Sequence, residues 1–255
     1  MPAARHRRPV IFLLAFLTVP SFSFEDRLPF TQGETFTFGI EWRLIRAGRA
    51  KLAWEPLKTG TSSPRQATLE VESTGLVSKL YKVNDTYTAN MGDKFCAQNT
   101  HTIAHEGFRN RETSVTYDAA AKKGRYIERD LGKNTTIAER EVDIPDCVHE
   151  IIGALYKLRE IKLAPGQTVE IPVSDGKKMI AARVEGQERE QIKTPAGTFH
   201  AIRYEAFLFN NVLYQRSGRL YLWLTDDDRR WPVQFRVRLQ FHIGTITLQL
   251  EKTET

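Results

Sequence analysis

The chain has 255 residues, with 37 Lys plus Arg against 31 Asp plus Glu, 41% hydrophobic residues and two cysteines. Ordinary apolar content without heptads, Gly-X-Y repeats or dense cysteines excludes disorder, coiled coil, collagen and a disulfide-knot miniprotein. What remains is globular and long enough to bury a real core.

In chain order, Arg5, His6, Arg7 and Arg8 precede an apolar run over residues 10–19, followed by Pro20, Ser21, Phe22 and Ser23. This is the pattern of a secretory signal peptide, so residues 1–23 read as a leader cut before Phe24 and residues 24–255 as a single β-rich domain. The rival reading is an uncleaved anchor. Ten apolar residues are too few to span a bilayer and no later window is long enough, so no transmembrane span is expected in the mature chain. Loss of Arg5, Arg7 and Arg8 lowers the formal charge from +6 by three, to +3. With signs mixed along the chain, that does not describe a nucleic-acid binder. Export also favours a disulfide between Cys96 and Cys147, with 147 − 96 = 51 residues of separation; in a reducing compartment the same pair would be buried thiols.

Residues 34–42 alternate, with Phe36, Phe38, Ile40 and Trp42 on one face, which predicts a half-buried strand. Ala50, Leu52 and Trp54 repeat the pattern after Arg46, Ala47 and Gly48, read as the turn of a hairpin. Ala67, Leu69 and Val71, then residues 83–89 and 95–103, continue the sheet. Residues 113–117 and 124–128 flank a polar-ended connection, and residues 133–142 add an extended segment. One strong helical signal follows: Asp146 can cap, Val148, Ile151, Ile152, Leu155 and Leu158 form an apolar stripe, and Pro165 with Gly166 stops it. Strands resume at 169–173 and 178–184 around an Asp175-Gly176 turn, then at 199–209, 214–224, 232–241 and 245–250. About a dozen strands, one principal amphipathic helix and no βαβ alternation predict a mainly β fold: an antiparallel curved sheet or barrel with the helix packed against it.

Candidate chemistry is sparse. His101 and His105 share a strand face beside Glu106, but further ligands would have to come from His149 or His200, and no recognised zinc spacing occurs. No metal and no cofactor is expected. Asp226, Asp227 and Asp228 read as Asx-type bonding in a hairpin turn, with a catalytic carboxylate pair as the alternative. Cys147 and His149, two apart on a helix, would point in different directions. The sequence holds no nucleophile elbow, phosphate loop or dinucleotide fingerprint, and hence no catalytic motif.

Aromatic residues are the remaining feature: Phe36, Phe38, Trp42, Trp54, Phe207, Phe209, Tyr221, Trp223, Trp231, Phe235 and Phe241. Sheet cores absorb most such rings, whereas a curved sheet that fails to fill its concavity leaves some lining a pocket. Parity puts Phe38 with Trp42 and Tyr221 with Trp223; together with Tyr156 on the helix, these are the candidate ligand-binding side chains. Structural roles are expected for Cys96, Cys147, Arg159, Asp226, Asp227 and Arg229. Arg159 ends the helix, where a cation complements the dipole, and the turn acids satisfy backbone groups.

Residues 147–159 with 163–167, residues 223–233 with Gly244 behind them, and the turn at 194–199 together resemble the exported bacterial proteins of domain-of-unknown-function family 3108. The matching positions are Tyr156, Arg159, Gly197, Trp223, Asp226, Asp227, Arg229 and Pro232, and the likeness runs from Phe30 to Leu250. It implies an envelope-located, β-rich protein of unestablished biochemistry and identifies no catalytic residue.

The leading expectation is therefore an exported periplasmic or envelope protein that binds or carries an apolar or glycan ligand without catalysis. Its partner would be a lipid, a glycan or an envelope protein. The alternatives are a glycan-modifying enzyme using the carboxylates near Asp226 and Asp227, and a structural partner in an envelope assembly.

Overall fold

Alternation becomes burial along the first strand: Phe36 and Phe38 are buried while Thr35 and Thr37 are half-exposed. The computed structural model describes residues 33–55, 65–239 and 244–254. The leader at 1–23, its cut before Phe24, and Phe241 lie outside the described residues. Within them the elements are β1 (Glu34–Trp42), β2 (Ile45–Glu55), β3 (Arg65–Ser73), α1 (Gly75–Leu80), β4 (Val83–Met91), β5 (Ala97–Glu106), β6 (Arg109–Asp118), β7 (Lys123–Asp130) and β8 (Thr135–Asp143). There follow α2 (Ile151–Glu160), β9 (Thr168–Ser174), β10 (Met179–Thr194), β11 (Gly197–Ala206), β12 (Gly218–Thr225), β13 (Pro232–Leu239) and β14 (Thr245–Glu254).

All fourteen strands join one antiparallel sheet in the order β8-β7-β6-β5-β4-β3-β2-β1-β14-β13-β12-β11-β10-β9. Two meanders, β1 to β8 and β9 to β14, are welded by the β1–β14 ladder. The edges are therefore β8 and β9, which are consecutive in the chain, and the segment between them carries α2. That segment closes the barrel. Val148 accepts from Ala97 N–H at 2.7 Å, while His149 donates to the Pro172 carbonyl and accepts from Ser174 N–H, both at 2.9 Å. One residue pair thus bridges β5 and β9, and the bond between Cys96 and Cys147, with Cα atoms 5.0 Å apart, clips it in place. The β9–β10 turn seals the seam further along: Tyr117 donates to the Ser174 carbonyl at 3.1 Å, and Gly176 packs so close to Val115 that a Cβ would come within 2.7 Å.

This architecture is the expected curved sheet with one principal helix, but four local expectations are corrected. The first hairpin turns at Arg43 and Leu44, both at positive φ, and not at residues 46–48. A two-residue turn of this hand matches strand twist, and Gly48 instead lies inside β2, where a side chain would strike the Glu72 carbonyl of β3. The helix begins at Ile151 and not near Asp146, because Val148 and His149 are spent on closure; Glu150 caps it, accepting from Ile152 N–H at 2.7 Å and from Gly153 N–H. Strand β10 runs ten residues past the predicted end at Val184, across a register shift between Gly186 and Arg189. Finally α1, absent from the sequence reading, carries no buried residue at all.

Candidate functional site

The inner face of β9–β14 is aliphatic by alternation. Leu222 faces Phe235, Leu220 faces Val237, Phe235 faces Leu248, and Ala182 faces Ile171 across successive ladders. These side chains, with Phe38, Leu52 and Leu69 from the other meander, surround a cavity of about 280 Å³ that α2 roofs with Ile151, Ile152, Ala154, Leu155 and Leu158. Every lining side chain is Ala, Val, Ile, Leu or Phe. Leu155, Leu220, Phe235, Val237 and Leu248 are only half-buried although they face inward.

The opposite flank of α2 is filled. Tyr156 stacks on Trp54 with centroids 4.1 Å apart and on Phe95 at 5.8 Å. One turn on, Arg159 is 1% exposed and grips the Glu34 carboxylate through both terminal nitrogens, Nη2 to Oε2 being 3.0 Å. Its Nε donates to the Arg230 carbonyl at 2.9 Å and Nη2 to that of Arg229 at 3.1 Å, while the guanidinium lies over the rings of Phe36 and Tyr156. One side chain thus joins α2, the start of β1 and the β12–β13 turn.

Of the five candidate ligand-binding residues, Phe38 alone lines the cavity. Tyr156 belongs to the filled flank. Trp42 is half-buried at the end of β1 with Arg43 over its ring at 5.6 Å. Tyr221 and Trp223 share a face, as parity requires, but it is the face of β12 opposite Leu220 and Leu222. There Trp223 donates to Glu190 at 2.7 Å and lies under Arg236, and Tyr221 lies between Arg203 and Arg238. The far half of β10, which supplies Glu190, crosses this side of the sheet; Ala196 N–H at the tip of its hairpin reaches the Leu250 carbonyl at 3.0 Å. The two aromatic sets therefore do not converge on one concavity.

Each acid of the 226–228 turn is paired with a cation. Asp226 accepts from Arg189 at 2.7 Å, Asp228 meets Lys162 at 3.4 Å, and Asp227 accepts from Thr225 Oγ1 at 2.6 Å and from Arg229 at 2.6 and 2.9 Å. Burial pushes the Asp227 carboxyl up, but the Thr225 hydroxyl and Arg229 guanidinium outweigh it and hold the group below its ordinary value. A general acid of glycoside hydrolysis needs the reverse shift.

Among the described residues no three His, Cys, Asp or Glu side chains assemble as a metal cluster. His101 meets Glu112 at 2.9 Å and His105 meets Asn110 at 2.8 Å, both on the exposed surface. His149 is buried with Nδ1 2.8 Å from the Phe95 carbonyl, which can only accept, so Nδ1 carries the proton. Burial holds its pKa below the ordinary imidazole value.

Sequence reasoning did not single out Glu34 and Glu150, two buried acids, or the leucines of β12 as cavity walls. Glu150 carried a signal, an acid three residues before Gly153 at a helix start. Glu34 carried none, because its partner Arg159 is 125 residues away.

Comparison with solved structures finds a β-barrel-like protein of domain of unknown function DUF1849 from Brucella abortus, at TM-score 0.54 and 8% identity, covering 88% of this chain and 98% of that one. At that identity the likeness is one of fold alone. Weaker matches are a protein described as exported, with a YmcC-like fold, from Bacteroides fragilis (TM-score 0.38, 11% identity, 88% and 96% coverage) and one described as a lipoprotein from Parabacteroides distasonis (TM-score 0.33, 9% identity, 88% and 96% coverage). No curated protein matches the chain. A family model does, over residues 37–251, from the middle of β1 through most of β14, and so over part or all of every strand and the helical roof: the chain belongs to the family of proteins of unknown function DUF3108.

Proposed function

We propose that residues 24–255, freed from the leader by a cut before Phe24, form one periplasmic domain that carries an apolar molecule beneath α2 without catalysis. The observation that carries this reading is the lining of the cavity, which offers no polar side chain. A sugar placed there would leave its hydroxyls without partners at a cost of about 1–3 kcal/mol each, whereas a hydrocarbon chain gains from every contact. The apolar ligand is thus preferred over the glycan. The disulfide supports an oxidising compartment. Pairing of all three acids in the 226–228 turn with cations favours an architectural role for Asp226, Asp227 and Arg229 over a catalytic one.

Titration of the purified mature protein with a dansyl-labelled medium-chain fatty acid tests the reading. Saturable, blue-shifted emission is expected, abolished by Leu155→Trp, which fills the cavity from its roof, and retained by Asp227→Asn. Absence of saturable uptake, or uptake indifferent to Leu155→Trp, would overturn it. A glycan-cleaving turnover lost in Asp227→Asn at unchanged melting temperature would install the enzyme reading instead.

A further inference from the structure

In a meander every second connection falls at the same end of the sheet. The β1–β2, β3–β4, β5–β6 and β7–β8 connections share one end, and the antiparallel pairing of Trp42 with Ile246 brings the β9–β10, β11–β12 and β13–β14 connections to it as well. Among the described residues, every large hydrophobic side chain that stands exposed lies in these connections or beside them. Leu44 is 91% exposed at the β1–β2 tip, Phe108 107% at the β5–β6 tip and Leu80 79% on α1; Leu76, Tyr81, Leu131, Val212 and Tyr214 are the others within the connections. Helix α1 has no fully buried residue, and Leu76 and Leu80 point away from the sheet into solvent.

The connections at this end are cationic, while the strand ends beside them add the acids Glu106 and Asp130 and the base Arg109. The connections hold Arg43, Lys79, Lys82, Lys133, Lys177, Lys178 and Arg216 against the single acid Asp175, whose carboxylate accepts from the backbone of Lys177 and Lys178. The opposite end mixes signs, as in the run Asp226, Asp227, Asp228, Arg229 and Arg230, and among the described residues it exposes no large hydrophobic side chain.

We propose that the end of the barrel bearing Leu44, α1, Phe108 and Leu131 docks on an anionic lipid surface. The apolar tips are separate points on different connections, not one continuous patch. A protein partner would need a matching pocket for each, whereas the interface of a fluid bilayer accepts apolar tips at any spacing while its phosphates meet the surrounding lysines and arginines. This goes beyond the carrier reading and does not rest on the cavity.

The test is co-sedimentation of the mature protein with phosphatidylglycerol-containing vesicles and with pure phosphatidylcholine vesicles. Binding to the anionic vesicles is expected, with weakening at high salt. The double variant Leu44→Ser/Phe108→Ser, whose side chains touch nothing that folds the barrel, should weaken it about tenfold or more, and Lys133→Gln about fivefold, the equivalent of roughly 1 kcal/mol per cation. Lys122→Gln at the opposite end should leave it unchanged. Failure to bind either vesicle at low salt, or equal binding by the double variant, would overturn the proposal. So would concentration-dependent self-association of the lipid-free protein abolished by the double variant, because the tips would then be a protein interface. Fatty-acid uptake in the double variant separates this outcome from failure of the carrier reading, since none of these residues lines the cavity.

Discussion

The two flanks of α2 belong to one ten-residue helix and are packed by opposite rules. On one, Tyr156 and Arg159 meet stacked rings, a buried carboxylate and two backbone carbonyls, and space is filled with ring and charge. On the other, Ile151, Leu155 and Leu158 face an aliphatic cavity that their own volume does not fill. A helix pinned on one side by directional contacts can be left loosely packed on the other without losing its position. The pinned flank holds the roof while the other leaves open apolar space beneath it.

The largest effects are expected where the pinned flank is cut. Arg159→Met leaves the Glu34 carboxylate buried and uncompensated, and should cost about 3–5 kcal/mol in urea unfolding. Adding Glu34→Leu should recover most of that loss, and a double variant no better than the single one would mean that the carbonyl contacts, not the ion pair, hold the junction. Reduction or Cys96→Ser/Cys147→Ser should cost about 4 kcal/mol by the chain-entropy estimate for a separation of 51 residues. It should also speed hydrogen exchange at Ala97 and His149, the amides of the closure.

Truncation on each flank sharpens the contrast. Trp54→Ala removes a ring from a filled core and should cost about 3–5 kcal/mol, whereas Leu155→Ala enlarges a space that already exists and should fall at or below the ~2 kcal/mol floor of such substitutions. Equal costs from thermal melts would mean that the two flanks are packed alike.

The smallest effect is a pH slope. His149 is held neutral by burial, with its folded pKa below the ordinary value, so its contribution is complete above the ordinary imidazole range near pH 6.5 and is lost as pH falls through it toward the depressed value. Neighbouring Glu150, raised by burial, has the opposite sign: its protonation on acidification favours the fold and opposes the His149 contribution. The urea midpoint should therefore fall between about pH 7.5 and about pH 5.5, and His149→Gln should flatten that slope. An unchanged slope in the variant would assign it to other groups.

Much of this was legible in the chain. Phe36 and Phe38 announced β1, Asp175-Gly176 announced a hairpin, the stripe from Ile151 to Leu158 announced α2, and export made the Cys96–Cys147 bond expected. The unread parts share a cause, in that their conformation is set by distant partners. Val148 and His149 look helical and become an extended closing link because β5 and β9 stand on either side. Residues 220–224 of β12 are apolar on both faces, so alternation groups Tyr221 with Trp223 without saying which face looks inward. Arg43 and Leu44 form a positive-φ turn without glycine, against local preference.

The carrier reading turns on whether the space under α2 is a ligand site. Native mass spectrometry of protein released gently from its own envelope and never exposed to detergent measures it directly. The account predicts a mass above that of the oxidised mature chain by one small apolar molecule, absent from Leu155→Trp prepared in parallel. Bare-chain mass for the wild-type protein, with no uptake when a fatty acid is added back, would contradict it.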